Sequence, residues 1–192
     1  MSDAFELFLE RIAAGDDART EEAALALGHL GDAVVPPLRD LLADADPDRR
    51  WWAARALAAV GTQAARELLV ATLDDPNRDV RACAAQGLGE LRAEEAVAGL
   101  VRRLADPSPL VCRVAADGLA RIGPPAVPAL IAALQAETTL TRAGAARALS
   151  FIQPQEAVPA LCAALDDPSA IVTHYAEEAL ERIGVGIVLF RP

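Results

Sequence analysis

The sequence has little of several residue types, and each shortage excludes a class of protein. Lysine is absent, since all 18 basic residues are arginine, and the aromatic residues are only two Trp, one Tyr and four Phe. Such an alanine-rich, aromatic-poor composition argues against a β-rich fold. The three cysteines, Cys83, Cys112 and Cys162, lack C-x-x-C spacing, so we expect reduced thiols. No apolar run approaches the roughly 18 residues that span a bilayer.

Positive charge is also in short supply. The formal net charge is −10 and the pI is near 4.7. An acidic surface repels phosphate backbones, which argues against nucleic acid as a partner. The first ten residues carry Asp3, Glu6 and Glu10 and do not resemble a secretory leader. We therefore expect a cytoplasmic protein that does not bind membranes.

Groups suited to catalysis are few as well. The two histidines, His29 and His174, lie five repeats apart, too far to share a metal ion, and neither has a second histidine three or four residues away. The chain contains no glycine-rich phosphate loop and no nucleophile elbow. The sequence therefore predicts no catalytic residue, no metal and no cofactor, and it favours a non-enzymatic role.

What the chain does contain is a unit that recurs about every 30 residues, clearest in residues 75–91, DPNRDVRACAAQGLGEL. A leucine marks each copy, and successive marks are 30 or 31 residues apart. Ala lies four residues before every mark, Ala or Gly one before, and an aliphatic residue three after. Positions −4, −1, 0 and +3 share one face of an α-helix, so each copy predicts an amphipathic helix. The marks are Leu27, Leu57, Leu88, Leu119, Leu149 and Leu180.

A fixed period with an internal helical pattern is typical of a stacked repeat protein. A first helix, mostly built on A-V-x-P-L or A-V-P-A-L, precedes the marked second helix of each copy. Asp-Pro pairs at Asp46, Asp75, Asp106 and Asp167 are predicted to cap second helices. The sequence thus predicts an all-α repeat array over residues 1–184, with helix pairs at about 3–30, 33–60, 64–91, 94–122, 125–152 and 155–183.

The motif D-P-x-x-x-V-R-x-x-A-A-x-A-L-G resembles the HEAT repeat, and more narrowly the short subclass found in phycobilisome lyases, over about residues 3–184. The resemblance implies a right-handed α-solenoid of about six helix pairs, with the second helices lining the concave face. It also implies an Asp–Arg ladder between neighbouring repeats. The Arg position of that ladder, seven residues before the mark, holds Arg50, Arg81 and Arg142, but Thr or Cys in the other three copies.

The core stripe of each second helix also predicts which positions face away from the core. These are −9, −6, −2, +2 and +5, with −5 and +1 on the flanks. Large aromatic and Arg side chains on such a surface are typical of interface hot spots. Two blander interpretations stay open: Trp52 packs between repeats, and the charges form salt bridges across repeats. The candidate binding residues are Trp51, Trp52, Arg55, Gln86, Arg113, Asp117, Arg147, Phe151, His174 and Tyr175.

Three functional hypotheses follow. The first is a scaffold that binds a protein or peptide on the concave face. The second, implied by the resemblance, is a bilin lyase or lyase-like chaperone that handles a tetrapyrrole, although the same repeats occur in many bacterial scaffolds. The third is a homo-oligomer formed through the groove or through the apolar tail, residues 185–192. That tail is otherwise interpreted as a cap on the end of the stack.

Overall fold

The computed structural model describes residues 3–185, and the regular elements of that range are all helical. The α-helices begin and end close to the predicted positions, which confirms the all-α prediction. Their bounds are α1 Asp3–Ala14, α2 Asp17–Leu27, α3 Val35–Leu42, α4 Pro47–Val60, α5 Gln63–Thr72, α6 Arg78–Glu90, α7 Val97–Arg103, α8 Pro109–Ile122, α9 Val127–Ala133, α10 Thr139–Ile152, α11 Val158–Ala164 and α12 Ala170–Ile183.

Short 3-10 segments precede four of the first helices. They are Gly28–Val34, Glu94–Ala96, Pro124–Ala126 and Gln155–Ala157. In the first of these, Gly31 has φ 56° and ψ −137°, a backbone conformation that glycine adopts without strain and that interrupts the helix.

The helices group into two compact units, Met1–Ala93 and Glu94–Pro192. In unit 1, α1 packs on α2, α3 on α4 and α5 on α6, and the second helices α2, α4 and α6 are neighbours in one layer. Unit 2 repeats this arrangement, with α7 on α8, α9 on α10 and α11 on α12, and with α8, α10 and α12 adjacent. Each unit is therefore a stack of helix pairs, and the single domain over residues 1–184 stays a prediction.

The core of each unit is built from the residues that define the repeat. In unit 1, Leu27, Leu57 and Leu88 are fully buried, and in unit 2 so are the marks on α8, α10 and α12. Alanine next to these leucines lets neighbouring second helices approach closely. At Gly87 the approach is closer still, since an added Cβ would lie 2.7 Å from the Cβ of Ala58 on α4. The predicted core stripe is thus confirmed at positions −4, −1 and 0 of five second helices, α4, α6, α8, α10 and α12. In α2 the prediction was wrong, since Ala26 is exposed and Thr20 and Ala24 are buried with Leu27 instead.

The predicted helix caps need a correction. Asp46 does cap α4, but the Asp of the other three Asp-Pro pairs lies two residues before the N-cap. There its Oδ1 accepts the backbone N–H of the N-cap residue, for example Asn77 N to Asp75 Oδ1 at 2.8 Å. Asp44 occupies that position before α4, with its Oδ1 2.9 Å from Asp46 N. In the sequence D-A-D at residues 44–46, the first Asp therefore corresponds to the Asp of the other three Asp-Pro pairs, and the second Asp is the N-cap.

An Arg on the second helix joins consecutive repeats in each unit, as the resemblance implied. In unit 1, Arg50 pairs with Asp75, and in unit 2 Arg142 pairs with Asp167, Nε to Oδ2 at 2.6 Å. The same guanidinium also donates to carbonyls of the loop before its own helix, for example Arg142 Nη1 to Ala136 O at 2.9 Å. Each of these two arginines therefore fixes both the entry to its own helix and the contact to the next repeat.

The tail, residues 185–192, is predicted to cap the stack or to associate with a second copy. All but the first of these residues lie outside the described residues. Between residues 3 and 185, no helix is both long and apolar enough to cross a lipid bilayer.

Candidate binding faces on the second helices

Each unit exposes one side of its second helices. The second-helix face is defined here by positions −9, −6, −2 and +2 relative to the leucine marks, with −5 on its flank. In unit 1 it belongs to α2, α4 and α6, and in unit 2 to α8, α10 and α12. The concave curvature implied by the resemblance stays a prediction.

The two tryptophans lie together on α4 of unit 1. Their ring centroids are 4.8 Å apart and the ring planes are perpendicular, an edge-to-face contact. Trp52 is only 9 % exposed, whereas Trp51 is half-buried and reaches the surface. Of the two candidate residues, Trp51 thus has the accessible ring, and the buried Trp52 ring packs against it.

A cavity of about 460 Å³ opens beside these rings. Ile12 and Gly15 contribute apolar surface, and the remaining lining consists of carboxylates in or next to the first turns of α2, α4 and α6. The carboxylates are Asp17, Asp46, Asp48 and Asp79. The sequence prediction placed Trp51 and Trp52 on a binding face but did not identify this acidic surround.

Arg55 and Gln86, the other candidates in unit 1, both have partners. Arg55 forms an ion pair with Glu21 of the preceding repeat, in which Nη2 contacts Oε1 and Nε lies 3.1 Å from Oε2. Gln86 is exposed, and its amide nitrogen is 2.8 Å from Glu90 Oε1. For Arg55 the salt-bridge interpretation was therefore the right one.

Cys83 lies behind the same face, at the flank position of α6. Its thiol is buried, with Sγ 3.8 Å from the carbonyl oxygen of Trp51. Burial raises the pKa of the Cys83 thiol to about 12, because the thiolate would lose its hydration. Cys83 is thus a packing residue of unit 1.

In unit 2, three candidate residues form one charge cluster between α8 and α10. Asp117 lies 2.7 Å from Arg147 Nη2 and 3.6 Å from Arg113 Nη1. Arg147 also lies 3.4 Å from the carbonyl oxygen of Arg113. One carboxylate is thus shared by two guanidiniums, and Arg113 remains largely exposed.

Phe151 projects from the end of α10 with half of its surface exposed. The guanidinium carbons of Arg147 and Arg182 lie 5.5 and 4.9 Å from its ring centroid. Arg182 is held in turn by Glu178, at 2.5 Å. These two cation–π contacts favour the observed orientation of the exposed Phe151 ring.

The last two candidates, His174 and Tyr175, are neighbours on α12. Their ring centroids are 5.4 Å apart and the planes are inclined at 48°. His174 is exposed and Tyr175 is half-buried. Tyr175 lines an apolar cavity of about 290 Å³ in unit 2, together with Cys112, Arg113 and Arg147.

A set of exposed aliphatic residues was not predicted from the sequence, and two of its three members, Leu140 and Ile171, line this cavity. Position −9 holds Leu110, Leu140 and Ile171 in unit 2, and these side chains are 39 %, 57 % and 51 % exposed. Helical periodicity already placed −9 outward, so an aliphatic residue there in three consecutive copies was a usable signal. In unit 1 the same position holds Ala18, Asp48 and Asp79.

Over the described part of the chain, no group of three or more His, Cys, Asp or Glu side chains is arranged to hold a metal ion.

Comparison with protein families gives a match along most of the chain. A family model described as HEAT repeats matches residues 5–89, 35–113, 67–127 and 97–181. A search of curated proteins finds no match.

Several solved structures have a similar fold. An engineered protein from the Northeast Structural Genomics Consortium is 26 % identical, with 96 % of this chain and 97 % of that chain covered and a TM-score of 0.52. The complex of CpcE and CpcF of phycocyanin lyase from Nostoc sp. PCC7120 is 24 % identical, with 96 % and 78 % covered and a TM-score of 0.53. A designed armadillo repeat protein in complex with the peptide (KR)4 is 20 % identical, with 95 % and 100 % covered and a TM-score of 0.50.

These similarities, with the helix pairs of each unit, confirm the predicted α-solenoid class. The handedness of the superhelix stays a prediction. At 24 % identity the phycocyanin lyase complex establishes a likeness of fold alone, so tetrapyrrole handling also stays a prediction.

Proposed function

This chain belongs to the HEAT-repeat family, and we propose that it is a non-enzymatic scaffold that binds a protein or peptide partner on its second-helix faces. The anchors would be Trp51 in unit 1 and Arg113, Arg147, Phe151 and Tyr175 in unit 2, with Leu140 and Ile171 added by the structure. Trp52 and Arg55, also named as anchors from the sequence, would support the face from partly buried positions.

One observation carries this proposal: the distribution of exposed large hydrophobic side chains. Six are exposed among the described residues, and five of them lie on second helices. The exception is Leu7 on α1. Four of the five lie on the second helices of unit 2, and apolar side chains that the core does not need, gathered on one layer of helices within a unit, are typical of an interaction surface. The five are Leu25, Leu110, Leu140, Phe151 and Ile171.

Order in the unit 2 face supports the same conclusion. The Phe151 ring is held by two guanidiniums, and Arg147 is held by Asp117. A partner that covers Phe151 would freeze few additional rotors, so little conformational entropy would oppose binding. The designed armadillo repeat protein, similar in fold, is in complex with a peptide, which shows one use of stacked helical repeats.

A displayed library of random dodecapeptides, selected on the wild-type chain, tests the proposal. We expect enriched peptides whose binding is lost in the double variant Leu140→Ala/Phe151→Ala or in Trp51→Ala. The matched control is Leu7→Ala, which removes an exposed apolar side chain from a first helix and should retain binding. Thermal unfolding of each variant separates loss of the surface from loss of the fold. Failure to enrich any peptide, or equal loss in all variants, would remove the proposal.

Tetrapyrrole handling has its own test. Incubation of the chain with bilin would give a protein-bound visible absorbance band, and transfer of the pigment to an acceptor protein would identify a lyase. A spectrum identical to that of free bilin would exclude it.

A further inference from the structure

We propose that the cavity beside Trp51 and Trp52 binds the cationic side chain of an Arg or Lys residue in an extended segment of the partner. This inference deepens the proposed scaffold function and rests on it. It concerns unit 1 alone and assigns one chemical class of residue to one place on the second-helix face.

The composition of the cavity wall is the first step. Two indole rings form one side, and the edge-to-face contact between them holds the exposed Trp51 ring in place. Four carboxylates from α2, α4 and α6 or their caps line the cavity together with Ile12 and Gly15, and no basic residue lines it among the residues described. A cation held over an indole and near carboxylates is attracted by both, and partial desolvation strengthens the attraction.

The state of the carboxylates is the second step. Within residues 3–185, neither Asp17 nor Asp48 forms an ion pair through its side chain. Asp46 Oδ1 accepts the backbone N–H of Asp48 at 3.0 Å, and Asp46 also interacts electrostatically with Arg50 without forming a salt bridge. Asp79 lies 3.6 Å from the Arg78 guanidinium, and both of these side chains are more than half exposed. Most of the negative charge around the cavity is therefore open to a ligand.

An ordinary explanation exists for acidic residues at these positions. Asp at the start of a helix interacts favourably with the helix dipole and with free N–H groups. The repeat does not require it, however, since position −9 holds Leu110, Leu140 and Ile171 in unit 2, where the helices begin equally well. Among the described helices, acidic first turns occur beside a pair of indoles only in unit 1, where Trp51 reaches the surface and Trp52 is buried. Helix capping does not explain the tryptophans.

The volume of the cavity and the positions of its carboxylates favour an organic cation that is part of a peptide. A volume of about 460 Å³ far exceeds that of a bare metal ion, and the described carboxylates are not arranged as a metal-holding group. The acids come from three successive second helices, so they follow the direction of the repeat stack. A peptide running along the face would place a guanidinium or ammonium against Trp51, with its backbone free to reach the neighbouring repeats.

The test uses four octapeptides with blocked ends, in which Ser alternates with Arg, Lys, Gln or Glu. Each peptide is titrated into the wild-type chain, and binding is measured by Trp fluorescence and by calorimetry. We expect the Arg and Lys peptides to bind and the Gln and Glu peptides not to bind. The variant Asp48→Asn/Asp79→Asn should weaken Arg-peptide binding about tenfold or more, because two charges near the cation are removed. Trp51→Leu should weaken it as well.

The matched control is Asp32→Asn/Asp40→Asn, which removes the same net charge from exposed positions of unit 1 away from the cavity. It should retain affinity within about twofold, since distant exposed charges are screened. Equal weakening by both double variants would mean non-specific attraction to an acidic protein and would overturn the inference. Equal affinity for the Gln peptide would overturn it too, as would spermine binding as tightly as the peptides, because the backbone would then contribute nothing.

The two proposals fail in different ways. If the dodecapeptide library yields uncharged peptides that need Phe151 and Leu140, the scaffold function stands and the cationic site falls. If the library yields nothing and the Arg peptide does not bind, both fall. Unfolding curves for all variants confirm that each comparison is made between folded proteins.

Discussion

The guanidinium of Arg50 forms a two-point ion pair with the carboxylate of Asp75, with Nε 2.8 Å from Oδ2 and Nη2 2.9 Å from Oδ1. Both side chains are nearly buried, 12 % and 10 % exposed. Nη1 of the same guanidinium also donates to the carbonyl oxygens of Asp44 and Ala45. A single side chain thus ties the start of α4 to the next repeat of unit 1.

Loss of this guanidinium should destabilise the fold measurably. We expect Arg50→Met to lower the free energy of unfolding by about 1–2 kcal/mol, since charged hydrogen bonds are lost and Asp75 keeps a poorly solvated charge. Arg49→Met is the control, because Arg49 forms a more exposed pair with Asp44, and it should change stability by less than about 0.5 kcal/mol. Urea unfolding of both variants checks this. Equal effects would mean that the Arg50 pair contributes no more than a surface salt bridge.

The corresponding pair in unit 2 predicts how stability depends on pH. The hydrogen bonds from Arg142 hold the pKa of the Asp167 carboxyl below its usual value in the folded chain. The unfolded chain therefore binds this proton at higher pH than the folded chain does. The stabilisation is fully present above the unfolded pKa of about 4 and is lost as pH falls through the lowered folded value.

The variant Asp167→Asn should show this effect by difference. Its stability deficit relative to the wild type should be constant from pH 7 to about 5. It should shrink below about pH 4, where the unfolded wild-type chain binds a proton at Asp167 while the folded chain is still ionised there. Unfolding in urea at a series of pH values measures the deficit. A deficit that does not change with pH would show that the charge of Asp167 is not what stabilises unit 2.

The close approach of α6 to α4 at Gly87 can also be tested. Helix propensity alone predicts that Gly87→Ala stabilises α6 by about 0.5–1 kcal/mol. The added Cβ would, however, lie 2.7 Å from the Cβ of Ala58, which has no rotamer to move. We expect a net destabilisation of about 1–2 kcal/mol from overpacking. In the background Ala58→Gly the same substitution should become neutral or stabilising, and additive effects in the double variant would contradict the contact.

The repeat explains how much of this molecule could be predicted. Core leucines such as Leu57 and Leu119 were identified correctly, because a buried stripe repeats in every copy and leaves a strong periodic signal. Helix starts are predicted less accurately. The sequence predicts that the Asp of each Asp-Pro pair is the N-cap, but in three copies this Asp lies two residues before the N-cap and accepts its backbone N–H in an Asx turn. Periodicity locates the face of a helix, but the choice between two nearby Asp residues depends on hydrogen-bond geometry.

The candidate site shows the same limit. Helical periodicity placed Trp51, Arg147 and Phe151 at outward positions, and the structure finds them half-buried or exposed. Helical periodicity could not predict that Glu21 would pair with Arg55, or that carboxylates from three helices would lie together beside the tryptophans. Those relationships depend on the rise and rotation between successive repeats, which the sequence pattern does not encode locally.

The three cysteines should differ in reactivity, because they differ in burial. Cys83 is buried with a pKa of about 12, so at pH 8 only about one thiol in ten thousand is a thiolate. Cys112 is half-buried, and burial raises its pKa too, while Cys162 is exposed on α11. With iodoacetamide at pH 8 we expect Cys162 to be alkylated first, Cys112 more slowly, and Cys83 only after unfolding in urea.

Peptide mass mapping at successive times measures these rates site by site, and Cys162→Ser removes the fastest step as a control. The raised pKa of Cys83 has a further consequence for stability. As pH rises through the usual thiol value the unfolded chain ionises first, so Cys83 increasingly opposes folding between about pH 9 and 12. Cys83→Ala should therefore lose less stability than the wild type over that range. If Cys83 instead reacts in the native protein as fast as Cys162, the second-helix layer of unit 1 opens readily, and the packing of Trp51 against α6 is not maintained in solution.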